Sequence, residues 1–185
     1  ICKENNLILI EDCAHSIGTN YNGKHAGNFG ITGNFSFYPT KQITTGEGGI
    51  VISNKLEIIE KIKKYKAFGI DTPPELRQKP GVYDVQGLGY NYRMTDFQAA
   101  LGSSQIKKIK IFIKKRTELA NYYKKSLFDL PYFLKPILRV SECNSSWHLY
   151  PILIDFKKIG LDKGKLMEKM MQKGITTQVH YIPLH

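Results

Sequence analysis

Two clusters of reactive side chains lie within the first fifty residues, and the first is Glu11–Ser16, which reads EDCAHS. It directly follows the apolar run Leu7–Ile10, which is typical of a strand buried on both faces of a parallel or mixed sheet. Ligand sites of open α/β sheets lie at this carboxyl end of a strand. Asp12 can there bind a metal, act as a base or pair with a cationic ring nitrogen, or it merely caps the next turn. Asp12 and His15 are too few ligands for a metal, so we predict no metal site.

The second cluster is Phe35–Lys41, which is followed by the glycine-rich turn Thr44–Gly49. A lone lysine between two strands normally faces solvent. Lys41 stands among hydroxyl groups between an aromatic strand and this turn, where its amine can be partly shielded from water, as a Schiff-base lysine requires. The glycines let the backbone approach a bulky ligand. They form neither GxGxxG nor a P-loop, so the sequence predicts no nucleotide phosphate cradle.

The two clusters together indicate a more specific chemistry. Lys41 follows Asp12 by about 29 residues, and Ser36 precedes the lysine by about five. A carboxylate, a lysine and a hydroxyl are the groups that a pyridoxal phosphate site needs, as the partner of the ring nitrogen, the covalent anchor and a phosphate donor.

With these motifs, the sequence resembles the DegT/DnrJ/StrS family of pyridoxal-phosphate-dependent sugar aminotransferases, which belong to the fold-type I (aspartate aminotransferase) superfamily. The matching segments cover nearly the whole chain. They are EDCAHSIG (11–18), FSFYPTKQITTGEGG (35–49), GYNYRMTDFQAALG (89–102) and, more loosely, WHLYPI (147–152) with VHYIPLH (179–185).

The resemblance implies a role for each matching side chain in cofactor binding. Lys41 is the catalytic lysine that holds pyridoxal phosphate, and Asp12 pairs with its ring nitrogen. His15 lies near the ring oxygen, and Ser36 binds the phosphate. Asn91 contacts the phosphate from the neighbouring subunit, so the resemblance also implies a homodimer with the active site at the subunit interface.

The resemblance also implies the substrates. Arg93 accompanies Asn91, and His180 with Tyr181 lines the sugar side of the cleft. The amino group passes from glutamate to a keto sugar of a nucleotide diphosphate, which gives an amino sugar such as those of bacterial surface polysaccharides. Some relatives are dehydratases with histidine in place of the lysine, and Lys41 argues against that branch. A catalytically silent regulatory homologue remains an alternative.

The formal net charge of +11, from 27 Lys and Arg against 16 Asp and Glu in 185 residues, raises another alternative. Such an excess is a possible signal of nucleic-acid binding. Lysines concentrate in 55–66 and 107–115, where they interleave with Ile at helical spacing. We interpret them as solvated helix faces and predict no nucleic-acid partner. A basic module that binds nucleic acid or an acidic surface is the competing hypothesis.

Other features of the sequence restrict its setting. The three cysteines form no CxxC pair, which favours a reducing, cytoplasmic location over a disulfide framework. The longest apolar runs fall far short of the ~20 residues of a membrane helix. The chain starts at Ile1 without Met and stops at His185, so we expect both ends to be cuts through a longer protein.

The elements that must position these residues indicate an α/β fold. We expect part of a three-layer, mixed-sheet large domain over 1–115, then a connecting helix and part of a smaller α+β C-terminal domain over 116–185. The predicted strands are Leu7–Ile10, Asn34–Tyr38, Ile50–Ile52, Trp147–Asp155 and Ile175–Tyr181. The predicted helices are one capped by Asn54 with Gly69 at its C′ position, one opened by a Thr95–Gln98 capping box that kinks near Arg116 and runs toward Phe128, and one over Leu161–Lys173.

Overall fold

The computed structural model describes residues 1–70, 72, 76–131, 133–137 and 139–182. These form two compact units. The first comprises Ile1–Asn121 and Arg139–Leu149, and the second comprises the described residues of 122–138 and 150–185. The boundary between 115 and 116 stays a prediction.

The elements of the first unit are strands and three helices, the last of which continues into the second unit. They are β1 (Ile10–Asp12), β2 (Asn20–Tyr21), β3 (Lys24–His25), β4 (Thr32–Ser36), β5 (Gly49–Ile52), α1 (Leu56–Tyr65), α2 (Asp96–Ile106), α3 (Ile109–Ser126) and, after it, β7 (Cys143–Asn144). The second unit also holds β6 (Leu134–Pro136), β8 (Ile152–Ile154), α4 (Phe156–Ile159) and α5 (Lys163–Gln172).

A mixed three-stranded sheet, in the order β1-β4-β5, forms the centre of the first unit. β1 runs parallel to β4 with Asp12 opposite Asn34, and β5 runs antiparallel to β4 with Ile50 opposite Phe35. The buried apolar residues of this unit are few: Cys13, Phe35, Ile43 and Ala120. Three of them lie within the predicted site motifs or directly beside them, so the best-packed part of the unit surrounds the candidate site.

The prediction of a doubly buried strand at Leu7–Ile10 is wrong in its position and in its burial. β1 starts only at Ile10, and the four apolar side chains are 40–72% exposed. Periodicity reports what a side chain prefers, whereas burial requires a second surface over the strand, and no described part of the chain supplies one. The carboxyl end of the strand still falls at Asp12, as expected.

A second small sheet, in the order β3-β2-β7, contains a hairpin that is not among the predicted strands. Asn22 and Gly23 connect β2 to β3 with φ of 49° and 73°. A two-residue turn with positive φ at both positions matches the right-handed twist of its strands, and Asn-Gly is the preferred pair. Asn22-Gly23 was therefore a readable hairpin signal.

The capping box at the start of α2 is confirmed. The Thr95 side chain accepts a hydrogen bond from the Gln98 backbone, and the Gln98 side chain accepts one from the Thr95 backbone. The predicted long helix is two helices, because the amide of Lys108 bonds the Gln105 carbonyl three residues back and interrupts the α-helical ladder. α3 continues through Arg116, so the observed break lies between Ile106 and Ile109, and the kink near Arg116 stays a prediction.

The predicted caps of α1 are also wrong in detail. The N-cap is Lys55, which makes no side-chain capping bond, and the Ser53 hydroxyl accepts from the Lys55 amide. The C-cap is Lys66. Gly69 lies beyond C′, with φ of 72°, and its amide bonds the Lys64 carbonyl.

The second unit has an antiparallel pair, β6 with β8, and the helix α5. The helix lies within the predicted 161–173, and the Asp162 side chain caps it by accepting from the Lys165 amide. The predicted strand 147–155 is realised only as β8, and Trp147 has a φ of 54°, outside the β region. Across the described 175–182 there is no strand, so that prediction is wrong.

Candidate active site

Asp12 and Ser36 lie at the same edge of the central sheet, because they end the adjacent parallel strands β1 and β4. The strand ends are tied by two bonds besides the ladder. The Cys13 amide donates to the Asn34 carbonyl (2.8 Å), and the Asn34 side-chain amide donates to the Glu11 carbonyl (3.0 Å). This edge is the expected place for a ligand in an open α/β sheet.

Asp12 is exposed and uses one of its carboxylate oxygens locally. Its Oδ1 accepts a hydrogen bond from the Ala14 amide at 3.0 Å. Through that oxygen, Asp12 caps the turn that follows it, which is one of the predicted alternatives. Among the described residues, Oδ2 takes part in no ion pair or hydrogen bond, so it can accept from a cationic partner.

Lys41 lies in the loop that leads from β4 back to β5. Its amide donates to the Tyr38 carbonyl (3.0 Å), and the loop is closed where the Phe37 amide donates to the Gly48 carbonyl (2.9 Å). The side chain of Lys41 is half-buried and takes part in none of the ion pairs formed among the described residues. Its amine is thus partly shielded and not neutralised there by a carboxylate.

Ser36 accepts a hydrogen bond from the Tyr38 amide at 3.3 Å, which leaves its own hydroxyl hydrogen free to be donated. Only part of the glycine-rich turn nearby lacks room for side chains: a Cβ on Gly49 would lie 2.7 Å from the Phe35 carbonyl oxygen, whereas one on Gly46 would meet no atom within 4 Å. The backbone is therefore closely packed against β4 directly after the lysine loop.

Gln42, which the sequence interpretation did not single out, joins the two reactive clusters. Its side chain is 4% exposed, and its Nε2 donates to the His15 carbonyl (2.6 Å) and the Ser146 hydroxyl (2.7 Å). A neighbour of Lys41 is thereby bonded to the loop that follows Asp12. No sequence signal marked this link, because a glutamine in a loop is normally solvated.

Glu11 is a second residue that sequence reasoning missed. Its carboxylate accepts from three backbone amides, those of Gly27 (2.7 Å), Phe29 (2.6 Å) and Gly30 (2.6 Å). It therefore holds the loop before β4 against β1. An acidic residue next to a strand end, followed by a glycine-rich loop full of unpaired amides, is the signal that could have indicated this role.

His15 is exposed, and its ring lies beside that of His148, with centroids 4.1 Å apart at an angle of 46°. His148 belongs to the loosely matching WHLYPI segment. The first unit thus brings this segment to the EDCAHSIG loop.

The Cys13 side chain, which follows Asp12, is buried, and its thiol is unreactive. Burial raises the pKa of its thiol, opposed by a hydrogen bond to Ser16 and reinforced by the Glu11 carboxylate. The thiol stays protonated at neutral pH, so it is not the nucleophile of this site.

Asn91 and Arg93 lie in the exposed segment that leads into α2. Asn91 forms an isolated bridge with Ala67, and the Arg93 guanidinium stacks on the Phe68 ring at 5.0 Å. The side chain of Gln98 donates to the Glu47 carbonyl (3.0 Å), which ties the start of α2 to the glycine-rich turn. The predicted contact of Asn91 with phosphate, accompanied by Arg93, stays a prediction.

His180 and Tyr181 belong to the second unit, with their rings edge-on at 4.5 Å. Neither residue lies in a helix or a strand. The last three residues of the VHYIPLH motif fall outside the described residues. The predicted role of this pair at the sugar side stays a prediction.

The described residues contain no group of three or more His, Cys, Asp or Glu side chains that could hold a metal ion. Nor does any helix among them have the length and apolar character to cross a membrane. The candidate site therefore consists of the Ser36 hydroxyl, the Asp12 carboxylate and Lys41.

Comparison with known proteins decides the family. The family model of the DegT/DnrJ/EryC1/StrS aminotransferases matches residues 1–185. The chain belongs to the DegT/DnrJ/EryC1/StrS aminotransferase family. The resemblance carried by the motifs is confirmed.

Similar members of this aminotransferase family include named sugar enzymes. The chain is 39% identical over 185 residues to a UDP-4-amino-4,6-dideoxy-N-acetyl-beta-L-altrosamine transaminase of Campylobacter jejuni, covering 100% of this chain and 47% of that protein. It is 33% identical over 185 residues to a GDP-perosamine synthase of Escherichia coli O157:H7, with the same coverage of 100% and 47%. The chain thus spans about half the length of the curated relatives it matches.

A solved structure matches the fold closely. Helicobacter pylori PseC, an aminotransferase involved in the biosynthesis of pseudoaminic acid, superimposes with a TM-score of 0.89 at 36% identity over 99% of this chain and 47% of that one. The α/β class with a mixed sheet, predicted from the motifs, is confirmed for this member of the family.

Proposed function

We propose that the protein containing this chain is a pyridoxal-phosphate-dependent aminotransferase that transfers an amino group to a keto sugar of a nucleotide diphosphate. One observation carries the proposal. In a chain of this aminotransferase family, Asp12, Ser36 and the Lys41 loop share one sheet edge, with a free carboxylate oxygen, a free hydroxyl hydrogen and a half-buried amine.

The chemistry of these donors fits pyridoxal phosphate. The Asp12 carboxylate suits a protonated ring nitrogen, and the Ser36 hydroxyl suits a phosphate oxygen. His15, with its ring exposed, is proposed to lie near the ring oxygen.

The cofactor supplies an electron sink for charge that develops on the substrate carbon. The residues of the chain supply the rest. Asp12 keeps the ring nitrogen protonated, because its negative charge favours the cationic form. Lys41 Nζ anchors the cofactor, and once released it removes a proton from the donor carbon and returns it, as a general base and then an acid.

The printed names of the relatives support the substrate class. One acts on a UDP-linked sugar and another makes a GDP-linked one, so a nucleotide diphosphate is what they share. We propose glutamate as the amino donor, and Arg93, His180 and Tyr181 as residues on the substrate side.

We propose a homodimer in which Asn91 reaches the phosphate of the neighbouring subunit. Asn91 is exposed and therefore available for such a contact. The free cysteines of the described chain agree with a reducing, cytoplasmic setting, which is part of the same proposal. A basic binding module or a silent regulatory homologue receives no support from the relatives.

Amino transfer from glutamate to UDP- and GDP-linked keto sugars tests the proposal. The full-length protein should form more than one equivalent of 2-oxoglutarate per active site only when a keto sugar is present. Lys41→Ala should lower the rate by at least about 100-fold, because the proton transfers lose their base. Lys55→Ala, which removes an exposed lysine at the start of α1, should leave it unchanged. A wild type without activity on either sugar class would contradict the proposed substrate.

A further inference from the structure

The Gln42 side chain is held in one orientation by its surroundings. A carbonyl oxygen can only accept a hydrogen bond, so the contact of 2.6 Å with the His15 carbonyl requires the Nε2 end of the amide there. The same nitrogen bonds Ser146 Oγ at 2.7 Å. Both amide hydrogens are thereby used; the bond to Ser146 is buried, and the bond to His15 is partly buried.

Ser146 is a fixed partner, because it is 0% exposed and bonded twice to Thr19. The two hydroxyls are 3.0 Å apart, and the Ser146 amide donates to Thr19 Oγ1 at 3.0 Å. The following residues are fixed as well, since the Arg116 guanidinium on α3 donates to the Trp147 carbonyl (3.0 Å). Gln42 therefore connects the lysine loop to a segment that cannot easily move.

The oxygen of the Gln42 amide indicates that this glutamine is not present to stabilise the fold. Gln42 Oε1 is buried and receives no hydrogen bond from the described residues. A buried acceptor without a donor costs free energy. An apolar side chain of the same length would avoid that cost but would lose the bonds to His15 and Ser146.

We propose that Gln42 is a positioning residue that fixes the lysine loop relative to the loop carrying Asp12 and His15. The inference rests on the proposed function, because it concerns the distance between the lysine and the carboxylate that bind the two ends of the cofactor ring system. Lys41 and Gln42 are adjacent, so bonds made by the glutamine set the place of the lysine backbone. Asp12 is three residues from His15, whose carbonyl accepts one of these bonds.

The sharpest variant is Gln42→Met, which keeps the length of the side chain, removes both donors and removes the buried oxygen. Gln172→Met is the matched control, because Gln172 is exposed at the end of α5. Both are made in the full-length protein, and Lys41→Ala is measured beside them. The readouts are the visible absorbance of lysine-bound pyridoxal phosphate, amide hydrogen exchange without cofactor, and the split between kcat and KM for glutamate.

Gln42→Met should weaken pyridoxal phosphate binding and lower kcat by about tenfold each, since two buried hydrogen bonds are lost. The KM for glutamate should stay within about twofold, because no substrate contact is removed. Hydrogen exchange at the Lys41 and Ser146 amides should accelerate. Ser146→Ala, which removes one of the two acceptors, should give a smaller effect in the same direction.

Each failure has a distinct signature. If the wild type shows no absorbance that depends on Lys41, the proposed function fails and this inference fails with it. If the wild type shows that absorbance and Gln42→Met matches Gln172→Met in binding and kcat, only the inference is overturned. A variant with faster exchange but unchanged binding and kcat also overturns it, because Gln42 would then only stabilise the fold.

Discussion

The Glu11 carboxylate accepts hydrogen bonds from three backbone amides at 2.6–2.7 Å and so organises the loop that precedes β4. Charge-assisted bonds of this kind are stronger than bonds between neutral groups. Glu11 neighbours Asp12 on β1, so the same loop contact also supports the strand end at which the candidate site lies. The EDCAHS motif therefore contains Glu11, which supports the loop, beside Asp12, which is the candidate cofactor-binding residue.

We predict that Glu11→Gln lowers the free energy of unfolding by about 1.5–3 kcal/mol, because the amide leaves at least one backbone N–H without an acceptor. Glu118→Gln, on the exposed surface of α3, should change it by less than about 0.5 kcal/mol. Urea unfolding of both variants measures the difference. Equal effects of the two substitutions would show that the three bonds add no net stability.

The Cys13 thiol gives a pH-dependent prediction. Burial raises its pKa above the ordinary value of 9.0, so the folded state binds this proton more tightly than the unfolded state. The resulting contribution to stability is fully present below about pH 9 and is lost as the pH rises through the folded-state pKa. Unfolding free energy measured from pH 8 upward should therefore decline more steeply in the wild type than in Cys13→Ala. Parallel declines would contradict a raised pKa.

At this scale, the sequence identified the types of the reacting groups but not their supports. Asp12, Ser36 and Lys41 could be singled out because their chemistry and spacing are unusual. Gln42 was not singled out and Glu11 was not given its role, because both roles come from bonds to partners 104 and 16–19 residues away. Only the folded chain brings those partners together.

Among the elements, the hairpin of β2 and β3 shows how one backbone requirement fixes a turn. Gly23 has φ of 73° with no atom within 4 Å of an added Cβ, whereas Gly87 has equally open surroundings and no positive φ. An added Cβ causes no steric clash at either glycine, so a difference between alanine substitutions at the two positions measures the effect of the positive φ alone.

We predict that Gly23→Ala destabilises the protein by about 1 kcal/mol, since a left-handed conformation is unfavourable for any residue with a Cβ. Gly87→Ala should be neutral or stabilise slightly, because it only restricts the unfolded chain. Thermal unfolding of the two variants provides the measurement. A destabilisation by Gly87→Ala as large as that by Gly23→Ala would refute the role of φ.

Local rules succeeded at the start of α2 and failed at the caps of α1, and two predicted strands that depend on tertiary contacts failed. The Thr95–Gln98 capping box depends on four consecutive residues and was correct. The strand at Leu7–Ile10 and the strand at 175–181 depend on surfaces distant in the sequence, and both predictions failed. The Asn22-Gly23 turn is local and was missed only because the strands beside it are two residues long.

For the molecule as a whole, the net charge of +11 belongs mainly to solvated helix faces. The lysines of α1 and the first turns of α3 are exposed, and Lys63 pairs with Glu60 at 2.8 Å on the same helix. The described lysines of these helices therefore spread positive charge along solvated surfaces. The basic composition is therefore compatible with an enzyme of the aminotransferase family.

We predict that the protein binds duplex DNA no more tightly than about 10⁻⁶ M at physiological salt, which is the range of non-specific electrostatic contact. Fluorescence anisotropy across a salt series measures this. Tighter binding with a steep salt dependence would favour the basic-module alternative.

The central claim is that Lys41 anchors pyridoxal phosphate, and a spectroscopic titration of the full-length protein tests it most directly. Adding the cofactor to the wild type should produce a visible absorption band of the lysine-bound form. Lys41→Ala should lack the band, and Lys55→Ala should retain it. A wild type without the band, or a Lys41→Ala variant that keeps it, would contradict the account.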